Sequence, residues 1–111
     1  MTEDLLKSLG IDPNTVNFSV NVISPDEIRE LNLRYRGKDK PTDVLSFPFL
    51  NIKAGQIPNR ENFPLDVNPE TGKIELGDIV INETEENKDF LIKHGLMHLL
   101  GYHHDDGEEE I

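Results

Sequence analysis

The sequence contains no cysteine and no tryptophan, and it has 11 basic residues against 22 acidic ones. Without cysteine there can be no disulfide and no thiolate ligand, so any bound metal must use nitrogen and oxygen ligands. No apolar run is long enough to span a membrane and no signal peptide is recognisable, which predicts a cytoplasmic protein. At 111 residues we expect a single domain, 1–111, with one small core.

The net charge of −11 argues against general nucleic-acid binding, because phosphate neutralisation requires lysine and arginine. Five of the eleven basic residues nevertheless fall within twelve positions: Arg29, Arg34, Arg36, Lys38 and Lys40. A local basic patch of this kind can hold one or two phosphates. On charge alone, a solvated helix surface is an equal alternative.

Residue patterns predict helices over 2–9, 25–36 and 85–100, and strands over 16–22, 44–49 and 74–81. Ser24, Pro25 and Glu27 form a capping box at a helix start, and Gly37 is expected to end that helix. Asn82 or Thr84 is expected to cap the last helix. That helix is apolar nearly all round, so we predict that it is central and buried.

All four histidines lie within eleven residues that read H-x3-H-x2-G-x2-H. Residues four apart share a helix face, so His94 and His98 can point at one spot. Gly101 is predicted to end the helix, and the following turn can bring His104 to the same spot. Three imidazoles with a fourth position open are typical of a catalytic zinc site. The alternative is four unrelated histidines clustered by chance.

The histidine spacing equals the HExxHxxGxxH pattern of metzincin metalloproteases, with one departure. Gly95 occupies the position of the glutamate that serves these proteases as general base. The metal-binding residues are therefore present without the base. A metzincin-like metalloprotease stays an alternative against which Gly95 argues.

Three separate segments resemble the YbeY proteins, bacterial metal-dependent endoribonucleases that mature ribosomal RNA. Residues 31–48 are similar to the family motif LN-x2-YRGKDKPTDVLSFP, residues 76–81 to its LGDIVI strand, and residues 94–104 to its HG-x-LHL-x-GYDH metal motif. The resemblance implies an α+β fold in which a small mixed β-sheet is packed with helices. It also implies that a central buried helix carries the metal ligands.

The resemblance further implies that His94, His98 and His104 bind one zinc ion per chain and that Arg36 faces the active site. The expected activity is zinc-dependent cleavage of single-stranded RNA in processing the 3′ end of 16S ribosomal RNA. The expected partners are ribosomal RNA and the small ribosomal subunit, with neither DNA nor a membrane. Three histidines lower the pKa of a zinc-bound water to about 7, and Arg36 would offset the charge that develops on the phosphate.

Several alternatives stay open at this point. A non-enzymatic ribosome-assembly factor with a structural zinc would carry the same motifs. His103 stands where the family usually has aspartate and competes as third ligand, although the spacing after Gly101 favours His104. Asp43, Asp78 and Asp105 are candidates for a general base or for orienting a ligand. The chain is shorter at both ends than the family pattern, which predicts an open sheet edge.

Overall fold

The computed structural model describes residues 2–102, which fold into three α-helices and a three-stranded sheet. Single 3₁₀ turns lie at Pro13–Thr15 and Pro64–Asp66. The predicted α+β class is confirmed. In chain order the elements are α1 (Thr2–Ser8), β1 (Val16–Ile23), α2 (Pro25–Arg36), β2 (Val44–Pro48), β3 (Ile74–Asn82) and α3 (Lys88–Leu99).

The sheet is mixed and has the strand order β1-β3-β2. The central strand β3 runs parallel to β1 and antiparallel to β2, so β1 and β2 form the edges of the described sheet. The pairing of β1 with β3 shifts register where Asn17 and Ser19 face Glu75 and Asp78, so a β-bulge lies next to Gly77. A Cβ at Gly77 would lie 2.3 Å from the carbonyl oxygen of Phe47, so this close strand pairing requires glycine.

The helices α3 and α2 pack on opposite faces of the sheet, because successive side chains of a strand alternate between faces. On one face, the α3 residues Leu91, Leu96 and Leu99 join the same buried cluster as Ile79 and Ile81 of β3. On the other face, Ile28 of α2 packs with Leu45 and Val80 in a separate, smaller cluster. The sheet thus separates the histidine-bearing helix α3 from α2, which carries Arg29, Arg34 and Arg36.

The edge strand β1 departs from the expected pattern of one fully buried face. Val16 is buried, but Val20 and Val22 are 38% and 51% exposed. Both residues pair with the apolar centre of β3, yet α3 lies over β2 and β3 rather than over β1. The alternating pattern predicted the correct face for these side chains, but they are partly exposed to solvent because α3 does not cover them.

The two main helices begin differently. Ser24 caps α2 and forms the predicted box with Glu27, and Gly37 ends the helix in a left-handed conformation. The start of α3 was predicted near Glu85 but lies at Lys88, with no side-chain cap. Asn82 cannot cap α3, because its side chain donates to the Thr42 carbonyl and accepts from the Thr84 hydroxyl and backbone amide.

The long segment 50–72, which lies between β2 and β3, is packed against the end of α3. Ile52 is buried in the main core, and the backbone amide of Gly55 donates to the Tyr102 hydroxyl at 3.1 Å. A Cβ at Gly101 would lie 2.3 Å from the Ile52 carbonyl oxygen. None of the helices in residues 2–102 is both long and apolar enough to cross a membrane.

Candidate metal site on the central helix

His94 and His98 face each other on α3. Their Nε2 atoms lie 2.9 Å apart, and the ring planes meet at 71° with centroids 4.5 Å apart. His98 is buried at 4% exposure, whereas His94 is half-buried. The predicted convergence of these two side chains is therefore present in the structure.

The geometry of the pair suits one shared metal ion. Two nitrogens bound to zinc at ~2.0–2.1 Å in a tetrahedral arrangement lie roughly 3.3 Å apart. The observed 2.9 Å between the Nε2 atoms is a few tenths of an ångström shorter, and a small rotation of the half-buried His94 ring closes that difference. Both rings present the same nitrogen to one point, so the donor set fits a divalent ion that accepts imidazole ligands.

The predicted third ligand His104, its competitor His103 and the base candidate Asp105 lie outside the described residues. Within residues 2–102, no group of three histidine, aspartate or glutamate side chains is arranged to hold a metal. The structure thus brings two of the three predicted ligand residues together, and their binding of a metal stays a prediction. The described chain ends just after Gly101, whose φ of +92° provides the turn that the sequence pattern required.

Gly95 is held against the sheet. A Cβ at this position would lie 2.9 Å from Cγ2 of Ile79, which is fully buried. The hydroxyl of Ser46 donates to the Gly95 carbonyl at 3.5 Å, linking β2 to α3 at the same level. The position that holds glutamate in metzincins has no room for a side chain here, so the protease base is excluded by packing as well as by sequence.

Arg36 is the last residue of α2, and its Nε is buried. α2 ends beside β2, where the ring of Tyr35 contacts Phe47 edge-on at 5.2 Å. Phe47 pairs with Asp78, next to Gly77, whose Cβ position would meet Leu99 of α3. Arg36 and the end of α3 therefore lie at the same end of the sheet but on opposite faces.

The loop 37–43, which follows α2 and contains Lys38 and Lys40, is held by two buried asparagines. Asn32 donates to the Lys40 carbonyl at 2.8 Å, and Asn82 donates to the Thr42 carbonyl at 3.2 Å. Arg34, which is not part of this loop, forms an ion pair with Glu30 on the exposed surface of α2. The sequence predicted the basic patch but missed Asn32, which is 1% exposed and would have been noticed only as a polar residue beside the apolar stripe of α2.

The two described base candidates have structural partners. The carboxylate of Asp43 accepts from the Val44 amide at 2.8 Å and from the Thr42 hydroxyl at 3.3 Å. The carboxylate of Asp78 accepts a short hydrogen bond from the Ser19 hydroxyl, across the β1–β3 pair. Asp43 thus shapes the entry into β2, and Asp78 stabilises the sheet at its bulge.

Phe90 was predicted to be part of a buried helix surface, but it is 65% exposed. Its ring stacks beside the His94 imidazole, with centroids 6.2 Å apart and an angle of 28° between the planes. The spacing of four residues before His94 placed it on the histidine side of the helix. The sequence therefore contained the signal for the position of Phe90. Because α3 is apolar nearly all round, however, the whole helix surface was predicted to be buried.

The fold and this site define a small α+β domain whose central helix carries a converging histidine pair. The chain belongs to the YbeY family, since the family model described as Endoribonuclease YbeY matches residues 1–111. Two similar proteins named Endoribonuclease YbeY come from Halalkalibacterium halodurans, at 39% identity over 86% of this chain, and from Aquifex aeolicus, at 42% identity over 95% of it. A third, from Dehalococcoides mccartyi, is 35% identical over 89% of this chain.

The chain spans just under two thirds of these relatives, namely 64%, 66% and 63% of their respective lengths. The family assignment predicted from the three sequence segments is confirmed. The shared region includes the sheet, α2, α3 and the histidine motif. The activity named for the relatives is a statement about those longer proteins.

Proposed function

We propose that this protein is a metal-dependent endoribonuclease that cuts single-stranded RNA, with ribosomal RNA of the small subunit as its substrate in the cytoplasm. The observation that carries the proposal is the convergence of the His94 and His98 Nε2 atoms, 2.9 Å apart on a buried helix. The support for RNA as substrate is membership of a family described as an endoribonuclease.

The protein's contribution at this site is to hold two imidazoles in fixed positions. His98 is clamped by burial, and Gly95 seats the helix on Ile79 between the two ligands. We propose His104 as the third ligand. A zinc ion held by these residues would supply Lewis acidity towards a phosphodiester and would lower the pKa of a water towards neutrality.

Arg36 is proposed to hold the phosphate at the site. A guanidinium presents paired N–H donors that match two phosphate oxygens, and it keeps its charge at every working pH. In the loop 37–43 that follows Arg36, the carbonyls of Lys40 and Thr42 accept hydrogen bonds from the buried side chains of Asn32 and Asn82. This attachment restricts where the backbone next to the arginine can move, so the phosphate is oriented with little loss of chain entropy.

The net charge of −11 limits the length of RNA that the protein can hold by charge alone. Binding through one or two phosphates beside the histidine pair is consistent with that charge. A general coating of the RNA backbone is not. We therefore expect cleavage of short, unpaired segments and a shallow dependence of affinity on salt.

The test combines zinc content with RNA cleavage in wild type and in three variants: His94→Ala, His104→Ala and the matched control His103→Ala. Elemental mass spectrometry should find about one zinc per wild-type chain, lost in His94→Ala and His104→Ala and retained in His103→Ala. Cleavage of a single-stranded RNA should follow the zinc content across all four proteins.

Full, metal-independent cleavage by His94→Ala would contradict the proposal. Zinc loss in His103→Ala with retention in His104→Ala would move the third ligand to His103. If zinc raises the melting temperature but no RNA is cut by the zinc-loaded wild type, the protein is an assembly factor with a structural metal. Cleavage of a peptide library instead of RNA would point to a protease.

A further inference from the structure

Phe90 combines an exposed aromatic ring with direct contact to a proposed metal ligand. It is 65% exposed although it lies on a helix whose apolar neighbours Leu91, Leu96 and Leu99 are each at most 5% exposed. Its ring is stacked beside the His94 imidazole, with the two planes 28° apart. A single exposed apolar side chain is common on a protein surface, so the distinguishing feature of Phe90 is that its open ring lies beside a proposed metal ligand.

The helix geometry fixes this exposure. Phe90 precedes His94 by four residues, so the two side chains are offset by only about 40° around the helix axis. Gly95, which faces Ile79, marks the side of α3 that rests on the sheet. Phe90 therefore points away from the sheet and lies one turn before the histidine pair, so it borders the space in front of both imidazoles.

The charges near Phe90 select the kind of ligand. Glu85, Glu86 and Asp89 lie just before or at the start of α3, and the basic residues of the same stretch are Lys88, whose amine donates to the Glu83 and Glu85 carbonyls, and the exposed Lys93. This surface does not attract phosphates strongly. The planar face of an unpaired nucleobase, by contrast, stacks on an aromatic ring whatever its sequence and without a local positive field.

We propose that Phe90 is the stacking platform for one unpaired base of the RNA, next to the phosphodiester that lies at the histidine pair. The proposal rests on the endoribonuclease function and adds a base-binding subsite to it. A stacked base would fix the strand's position relative to the two imidazoles. It would also restrict cleavage to unpaired segments, because a base within a duplex cannot turn its face to the ring.

The test measures KM and kcat for single-stranded RNA with zinc-loaded wild type, Phe90→Leu, Phe90→Tyr and Phe49→Leu. Phe49 is the matched control, because it is a phenylalanine 57% exposed just after β2 and is not part of the helix that carries the histidine pair. Phe90→Leu should raise KM roughly five- to a hundredfold with kcat and zinc content little changed. Phe90→Tyr should keep the wild-type KM, and Phe49→Leu should do the same.

A second substrate series locates the base. RNA oligonucleotides with a single abasic site at successive positions should lose affinity for wild type at one position near the cut. Phe90→Leu should show no further loss at that position, because the two changes remove the same contact. Additive losses would overturn the proposal.

The outcomes separate the two proposals. If wild type cuts RNA and Phe90→Leu has an unchanged KM, base stacking is wrong while the endoribonuclease function stands, and the ring is then better explained as a contact for a protein surface. An equal rise in KM for Phe49→Leu also overturns the subsite. If zinc-loaded wild type cuts no RNA, both proposals fail.

Discussion

On the α3 side of the sheet, thirteen buried apolar residues of the described chain form one continuous core, whereas on the α2 side only Ile28, Leu45 and Val80 are buried together. The large cluster contains residues from α1, α3, all three strands and the segment 50–72. The small cluster joins one helix to two strands. The candidate metal ligands of α3 lie on the heavily packed side, and the three arginines of α2 lie on the thinly packed side.

This difference matches what each side is proposed to do. Metal ligands must be held to within a fraction of an ångström, which requires side chains locked by packing. A phosphate-binding segment tolerates more movement, and its positions are set by a few hydrogen bonds, such as that from Asn32 to Lys40. The following changes test the comparison, from the largest expected effect to the smallest.

The first test removes one fully buried aliphatic side chain from each side. Leu96 and Ile28 are both 0% exposed. Leu96→Ala should lower the free energy of unfolding by about 4 kcal/mol, because the surrounding core is rigid and leaves a cavity. Ile28→Ala should lower it by about 2 kcal/mol, because its partly exposed neighbours can collapse into the gap. Urea denaturation in the presence of a chelator measures both without a metal contribution. Equal losses would remove the distinction between the two sides.

The second test adds one methyl group to the histidine helix. Gly95→Ala places a Cβ against the buried Ile79, so we expect a loss of about 1–3 kcal/mol in the free energy of unfolding. Zinc content should fall as well, because the helix between the ligands is displaced from the sheet. Lys93→Ala, an exposed change two residues earlier, is the control and should stay within about 0.5 kcal/mol of wild type. A stable, zinc-replete Gly95→Ala protein would show that the close contact with Ile79 does not position the ligands.

The third test removes an exposed ion pair on the α2 side of the sheet. Asp39 accepts a 2.7 Å hydrogen bond from Arg29, and this bond and the carboxylate charge raise the pKa of Arg29 above its usual value. A raised pKa stabilises the fold below the unfolded-state pKa, and this contribution is lost only as pH rises through the folded-state pKa, far above neutrality. Because both side chains of this pair are largely exposed, Asp39→Asn should change the melting temperature little, and the small difference from wild type should be the same at every pH in the neutral range. A drop of several degrees would mean that this pair supports the loop 37–43.

The parts of the fold that depend on neighbouring residues could be predicted from sequence. The Ser24 capping box, the Gly37 helix end and the His94–His98 convergence all depend on residues within four positions of one another. The predicted start of α3 was wrong, because the side chain of Asn82, the expected cap, donates instead to the carbonyl of Thr42, forty residues away.

Exposure could not be predicted in the same way. Val20 and Val22 carry the right periodicity for burial, and Phe90 lies on a helix that is apolar nearly all round, but whether an apolar side chain is covered depends on which element packs over it. The same reason explains Arg36. The position of Arg36 at the end of a helix could be predicted from the sequence. Its position on the opposite face of the sheet from α3 could not, because it depends on how the elements assemble around the sheet.

The contact between Gly101 and Ile52 bears on how this domain can change length. The segment 50–72 looks replaceable, since Leu65 in its middle is 96% exposed and most of it carries no regular structure. Its first residues, however, form the surface against which the chain leaves α3. Insertions near Leu65 should therefore be neutral. A single added residue next to Ile52 would instead redirect the backbone that leads from His98 towards His104, so the two halves of this segment are under different constraints on length.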